Sequence, residues 1–186
     1  MKKIIFLFAI ILFFTPLKIV FSQYGGFNDS PFKEGALVTA VKTGKLKDIV
    51  SALNSGSSLN EKDFDEVPAL LLAIERSRLD MAFLLIEKGA RVNIKDQDNR
   101  TALTLAVLKD DANLIKSLIN YGADPDKLGP NRQTPLIIAS REGKFNSVKA
   151  LIEGGAYLDD TDLTGRTALD WACLLYTSPS PRDITP

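Results

Sequence analysis

From residue 35 to residue 172, apolar positions return in the same order every 33 residues. Leu37, Leu70, Leu103, Leu136 and Leu169 form one column, and Ala40, Ala73, Ala106, Ala139 and Ala172 stand three residues later. Ile49, Ala82, Ile115 and Val148 make a third column; Leu53, Ile86, Ile119 and Ile152 make a fourth. Gly56, Gly89, Gly122 and Gly155 keep the same interval. A fixed period of this size, held across several columns, marks a repeat array in which each unit buries its apolar face against the next.

Within a unit the spacing predicts two short helices. Thr134-Pro135 supplies a capping hydroxyl followed by proline at the first helical position. Leu136, Ile138 and Ala139 then follow at helical intervals until Gly143 breaks the run. A second helix is predicted from near Phe145, with Val148, Leu151 and Ile152 on one face, and Gly155 fits a left-handed residue just past its end. The alanine column lets the paired helices approach closely. Polar loops such as Asn93 to Arg100 join one unit to the next. The expected fold is therefore an all-α solenoid of helix–turn–helix units, four complete and a fifth in phase as far as Ala172.

The unit resembles the ankyrin repeat. That family's 33-residue unit starts Gly-x-Thr-Pro-Leu-His-x-Ala and ends Gly-Ala-Asp-Val-Asn. Here the starts include Arg100-Thr101-Ala102-Leu103, Gln133-Thr134-Pro135-Leu136 and Gly165-Arg166-Thr167-Ala168-Leu169; the ends include Gly89-Ala90-Arg91-Val92-Asn93 and Gly122-Ala123-Asp124. The motif histidine, which helps tie neighbouring loops in the family, is replaced by Val38, Leu71, Thr104, Ile137 and Asp170. Gly35 and Pro68 stand where the first two units would have the capping threonine. Lys42, Lys45 and Lys47 suit a first unit that meets water as a cap.

The resemblance implies a non-enzymatic scaffold that binds another protein on a concave face made of loop tips and the exposed side of each first helix. Carried over by position, the tips are Phe64, Asp65 and Val67; Gln97, Asp98 and Arg100; Pro130, Asn131 and Gln133; Leu163, Thr164 and Arg166. The helix positions are Glu75 and Arg76, Leu108 and Lys109, Arg141 and Glu142. Aromatic and arginine side chains often carry interface energy, so Phe64, Arg76, Arg100 and Arg141 lead this set.

Both ends differ from the array. Lys2 and Lys3 precede the apolar run Ile4 to Phe14, and Pro16 and Lys18 interrupt it before Val20-Phe21-Ser22. This is the layout of a secretory signal peptide, residues 1–22, with cleavage expected after Ser22 and a linker over 23–34. Export to the periplasm or the outside follows, with membrane contact only through the leader if it is retained. At the other end, Cys173 to Asp183 resembles an in-frame translation of a transposase-type sequencing adaptor. Residues 173–186 are accordingly read as a non-native tail on a truncated fifth unit. The apolar face left there is expected to promote association, whereas the complete protein is expected to be monomeric.

Composition narrows the chemistry. The chain has 23 Lys+Arg against 23 Asp+Glu, no histidine and one cysteine. Nucleic-acid binders usually carry a basic excess, and most acid–base, thiol and zinc chemistry would lack its residues. No phosphate-cradling loop, nucleophile elbow or metal-ligand cluster is present, so neither catalytic residues nor a cofactor are expected. The recurring acids Asp63 and Asp65, Asp96 and Asp98, then Asp159, Asp160 and Asp162 lack the run of ligands a calcium loop needs and read as turn formers. Asn99 occupies the turn-glycine position, where asparagine tolerates a left-handed backbone. Two other readings stay open on sequence: a targeting arm for an enzyme whose catalytic domain followed the repeats, and an inhibitor or immunity-type binder.

Overall fold

Nine α-helices lie along residues 34–177, the part of the chain that the computed structural model describes. The expected signal peptide, the linker up to Lys33 and the tail from Ser178 onward lie outside the described residues. Helices α1 (Ala36–Thr43) and α2 (Leu46–Asn54), α3 (Ala69–Glu75) and α4 (Leu79–Glu87), α5 (Ala102–Leu108) and α6 (Ala112–Asn120), and α7 (Pro135–Arg141) and α8 (Phe145–Glu153) form four hairpins. Helix α9 (Ala168–Thr177) opens a fifth unit. The first helices α1, α3, α5, α7 and α9 pack side by side in one row, and each of the first four also packs on its own second helix. No helix among the described residues is long and apolar enough to cross a membrane.

Helices this short are marginal alone, so packing holds them. The leucine column is the spine: Leu37, Leu70, Leu103 and Leu136 are at most 2% exposed, and the alanines at 40, 73, 106 and 139 are equally buried. The N-terminal end is polar. Asp48 and Ser51 are exposed at the positions where later units bury Met81 and Leu114, and Leu84 is half-buried and Ala150 buried. The first unit is solvated: Lys45 and Lys47 are exposed as expected, whereas Lys42 is half-buried and pairs with Glu34 and Asp63.

Thr101 and Thr134 cap α5 and α7 as their sequence predicts, accepting from Thr104 N at 3.2 Å and Ile137 N at 3.3 Å. Unit one finds another solution. Glu61, from the following loop, accepts Leu37 N at 2.9 Å and Val38 N at 3.0 Å through Oε2. A Cβ on Gly35 would lie 1.8 Å from Glu61 Cδ, so that close approach requires glycine. Helix α8 is capped across units as well: Lys144 provides nothing, and Asp110 Oδ1 accepts Ser147 N at 2.8 Å.

The turn inside each hairpin uses one left-handed residue, at Gly44, Ser77, Asp110 and Gly143. The next position in that series is Tyr176, and here the chain does not turn: α9 continues to Thr177. The boundary expected at Ala172 therefore falls inside a helix. Leu174 and Leu175 are good helix formers, and an aromatic residue is a poor choice for a left-handed turn.

Asn60, Asn93 and Asp126 each reach the next unit, accepting Arg91 N, Asp124 N and Tyr157 N at 2.8–2.9 Å. Asn93 also donates to Gly122 O at 2.8 Å, a bond an ionised aspartate cannot copy. Burial, aided by Asp160 and Asp124 nearby, pushes the Asp126 carboxyl above its ordinary range against the pull of Tyr157 N–H. An acid raised in the folded state contributes stability below about pH 4, its unfolded pKa, and that contribution is lost as pH rises through the folded value. Asp126→Asn should therefore stabilise the array by about 0.5–1 kcal/mol at neutral pH, the gain shrinking below about pH 4. Urea melts of both proteins at the two pH values would show this; an equal gain at both would contradict it.

Candidate partner-binding surface

Three of the four loop tips are tight hairpins built on an aspartate. Asp63 N donates to Val67 O, Asp96 N to Arg100 O and Asp162 N to Arg166 O, at 3.0–3.1 Å. The carboxylates then accept main-chain N–H groups inside the turn: Asp63 from Asp65 and Val67, Asp96 from Arg100, and Asp162 from Thr164 and Arg166. All three are buried, so they act as turn formers, as the sequence suggested. Asn99 takes the left-handed position with φ 60°. In the fourth unit Gly129 replaces the aspartate, and a 3-10 turn, Pro130–Arg132, shapes the tip. A side chain at Gly129 would press on Thr104 Oγ1 at 3.1 Å.

The structure brings tips and first helices into one surface. Arg100 Nε meets Asp96 Oδ2 at 2.7 Å, and its Nη1 reaches Glu75 Oε1, on the preceding unit, at 3.3 Å. Lys42 reaches Asp63 Oδ2 at 3.3 Å and also pairs with Glu34. At the far end Gln133 Nε2 donates to Asp162 Oδ2 at 3.3 Å, while Arg141 Nη1 donates to Gln133 Oε1. Trp171 Nε1 donates to the same Asp162 oxygen at 2.9 Å, and the Arg166 guanidinium stacks 5.0 Å from the Trp171 ring centre. The Thr164 hydroxyl and N–H, then the Trp171 and Arg166 N–H groups, overcome desolvation and hold the Asp162 carboxyl well below the usual carboxylate range. This polar ladder ties tips to first helices in a chain that has no histidine.

The ladder breaks once. Between the third and fourth units the acid is Gly129 and the facing helix position is Leu108, so cation and carboxylate are lost together.

These contacts sort the residues expected to meet a partner. Gln133 does not fit that role as expected: it is 5% exposed, with both ends of its amide engaged, because the neighbouring Asp162 and Arg141 close over it. Arg100 and Arg141, expected to lead, are half-buried and committed to the ladder. Lys109 bonds Glu75 O and Ser77 Oγ, Glu142 pairs with Arg141, Asp98 lies 3.6 Å from Arg100, and Val67 is half-buried. Asp65, Arg76, Gln97 and Asn131 are exposed, and no hydrogen bond or ion pair engages the side chain of Arg76. Phe64 and Leu163 stand at equivalent tip positions and are 62% and 71% exposed. Among the described residues no group of three or more His, Cys, Asp and Glu side chains is placed to hold a metal.

The family model described as ankyrin repeats (3 copies) matches residues 37–128 and again 103–178, most of the chain. The chain belongs to the ankyrin repeat family. No curated protein matches it. Ankyrin repeats are in general protein–protein interaction modules and typically non-catalytic.

Proposed function

We propose that this protein is an exported scaffold, periplasmic or secreted, that binds a partner protein through its tips and first helices. One observation carries the reading: Phe64 and Leu163 hold large apolar side chains out at equivalent positions of rigid, hydrogen-bonded turns. Preorganised tips lose little entropy on binding. Exposed Arg76 and Leu108 lie on the adjoining first helices and complete a mixed apolar and cationic surface. Lys2, Lys3 and the apolar run that follows support export.

Photo-crosslinking tests the site. A benzoylphenylalanine at position 64 or 163 should trap one discrete partner in the producing cell, and the same group replacing the exposed Glu87 on α4 should not. With that partner purified, removing Phe64 and Leu163 to alanine should weaken binding by about 10- to 100-fold, as loss of one or two hot spots does. An identical crosslinking pattern at 64, 163 and 87, or unchanged affinity in the double variant, would refute the surface.

A further inference from the structure

Near the C-terminal end of each first helix the repeat places Lys42, Glu75, Leu108 and Arg141 in successive units. Lys42 bonds to Asp63 and Glu75 to Arg100 on the tip that follows, and Arg141 reaches Asp162 through Gln133. Leu108 is the exception. It is 41% exposed, and the tip that follows it has Gly129 in place of the aspartate. A side chain on Gly129 would meet Thr104 Oγ1 at 3.1 Å and Ile138 Cδ1 at 3.5 Å, so this stretch is closed beneath. It forms a shallow neutral saddle. On one side lies Arg100 with its three carboxylates, and on the other Arg141 with Gln133 and Asp162.

Two cations border the saddle. Arg76 is exposed at the C-terminal end of α3, with no hydrogen bond or ion pair on its side chain. Lys109 follows Leu108 and reaches back to Glu75 O at 3.2 Å and Ser77 Oγ at 2.8 Å, on either side of Arg76 in the chain. Its partners are neutral, so neither charge has a carboxylate against it. The acids nearby are already matched: Glu75 and Asp98 by Arg100, and Glu142 by Arg141.

Given the partner-binding role proposed above for tips and first helices, we infer that the saddle holds an extended acidic segment of the partner protein. Its apolar side chain lies on Leu108 and its carboxylate on Arg76 and Lys109. Neighbouring helices pack about 8–10 Å apart, and an extended chain advances about 3.3 Å per residue. The carboxylate therefore falls about two or three residues from the apolar side chain. A basic segment would set a further cation beside Arg76 and Lys109, with no free carboxylate to balance it. A wholly apolar one would strip water from both cations and return nothing. Asp65, exposed beside Phe64 on its tip, turns the acidic part of the segment away from the tips and toward the first helices.

Selection of a random-peptide display library on the purified full chain tests this, followed by fluorescence polarisation with the consensus peptide. The selected peptides should carry Asp or Glu in that register from a large apolar residue, and their binding should weaken as salt rises. Arg76→Ala and Leu108→Gln, both at exposed positions, should each weaken binding about tenfold with unchanged helical circular dichroism, and Arg76→Lys should restore part of the loss. Peptides without an acid in that register would overturn the inference. So would affinity that ignores Arg76→Ala and Leu108→Gln but is lost when Phe64 and Leu163 are both alanine, and that result would leave the tips standing. Indifference to all four positions would overturn the tips as well. A library that yields no ligand would overturn the extended segment alone, since the crosslinks at 64 and 163 report on the tips separately.

Discussion

Leu103→Ala is expected to destabilise the array by about 3–5 kcal/mol, while Leu169→Ala, in the same column of the repeat, should cost about 0.5 kcal/mol or less. Leu103 is 1% exposed, with units on both sides of its helix; Leu169 is 71% exposed. A cavity in the middle of a stack cannot collapse, because neighbours on both sides are held by their own contacts. It also weakens both flanking interfaces of a structure whose stability is a sum of unit and interface terms. At Leu169 the lost methyls already faced water. Guanidinium unfolding followed by far-ultraviolet circular dichroism would measure both. Similar costs at the two positions would contradict this reading of the column.

The second large effect is expected at Asp110. This residue caps a helix in the next unit: Oδ1 accepts Ser147 N and the Ser147 hydroxyl, each at 2.8 Å, and Oδ2 accepts Asn146 Nδ2 at 3.0 Å. Asp110→Ala removes these bonds and places alanine at φ 55°. The loss should be about 1–3 kcal/mol, at the upper end of a helix-cap deletion. Asp110→Asn keeps an acceptor and tolerates the left-handed backbone, so it should retain most of the stability. The acid has a pH signature opposite to that of Asp126. Burial opposes its charge, but the Ser147 hydroxyl and N–H, Asn146 and Lys144 outweigh that and hold the carboxyl below its ordinary range. Its contribution is therefore present above about pH 4 and is lost as pH falls through the folded value. Hydrogen exchange in α8 should rise in Asp110→Ala before that in α4. Unchanged protection there would show that the cap is dispensable.

Much of the candidate surface was legible from residue type and register. Phe64, Leu163 and Arg76 stand at carried-over positions and are exposed as the repeat pattern implies. Gln133 shows where this fails. Its position marks a tip, but its neighbours Arg141 and Asp162 turn it inward. A glutamine that bridges two charged partners looks the same in sequence as one that faces water. Arg100 was equally ambiguous, since its three carboxylate partners lie 2 to 25 residues away.

The period, the pairing of short helices, and the buried leucine and alanine columns could be read along the chain, because local periodicity encodes which side of a helix meets apolar neighbours. Residue type also marked the capping threonines and the turn at Asn99, which depend on bonds within a few residues. Stacking of units, not local sequence, makes Glu61 cap α1 from 24 positions away and Asp110 cap α8 from 37, and encloses Gln133. It alone separated Leu169 from its four column mates. The physical reason is common to all of these: burial and polar pairing across units depend on how one unit stacks on the next, and a column of identical residues carries no record of whether a neighbour is there.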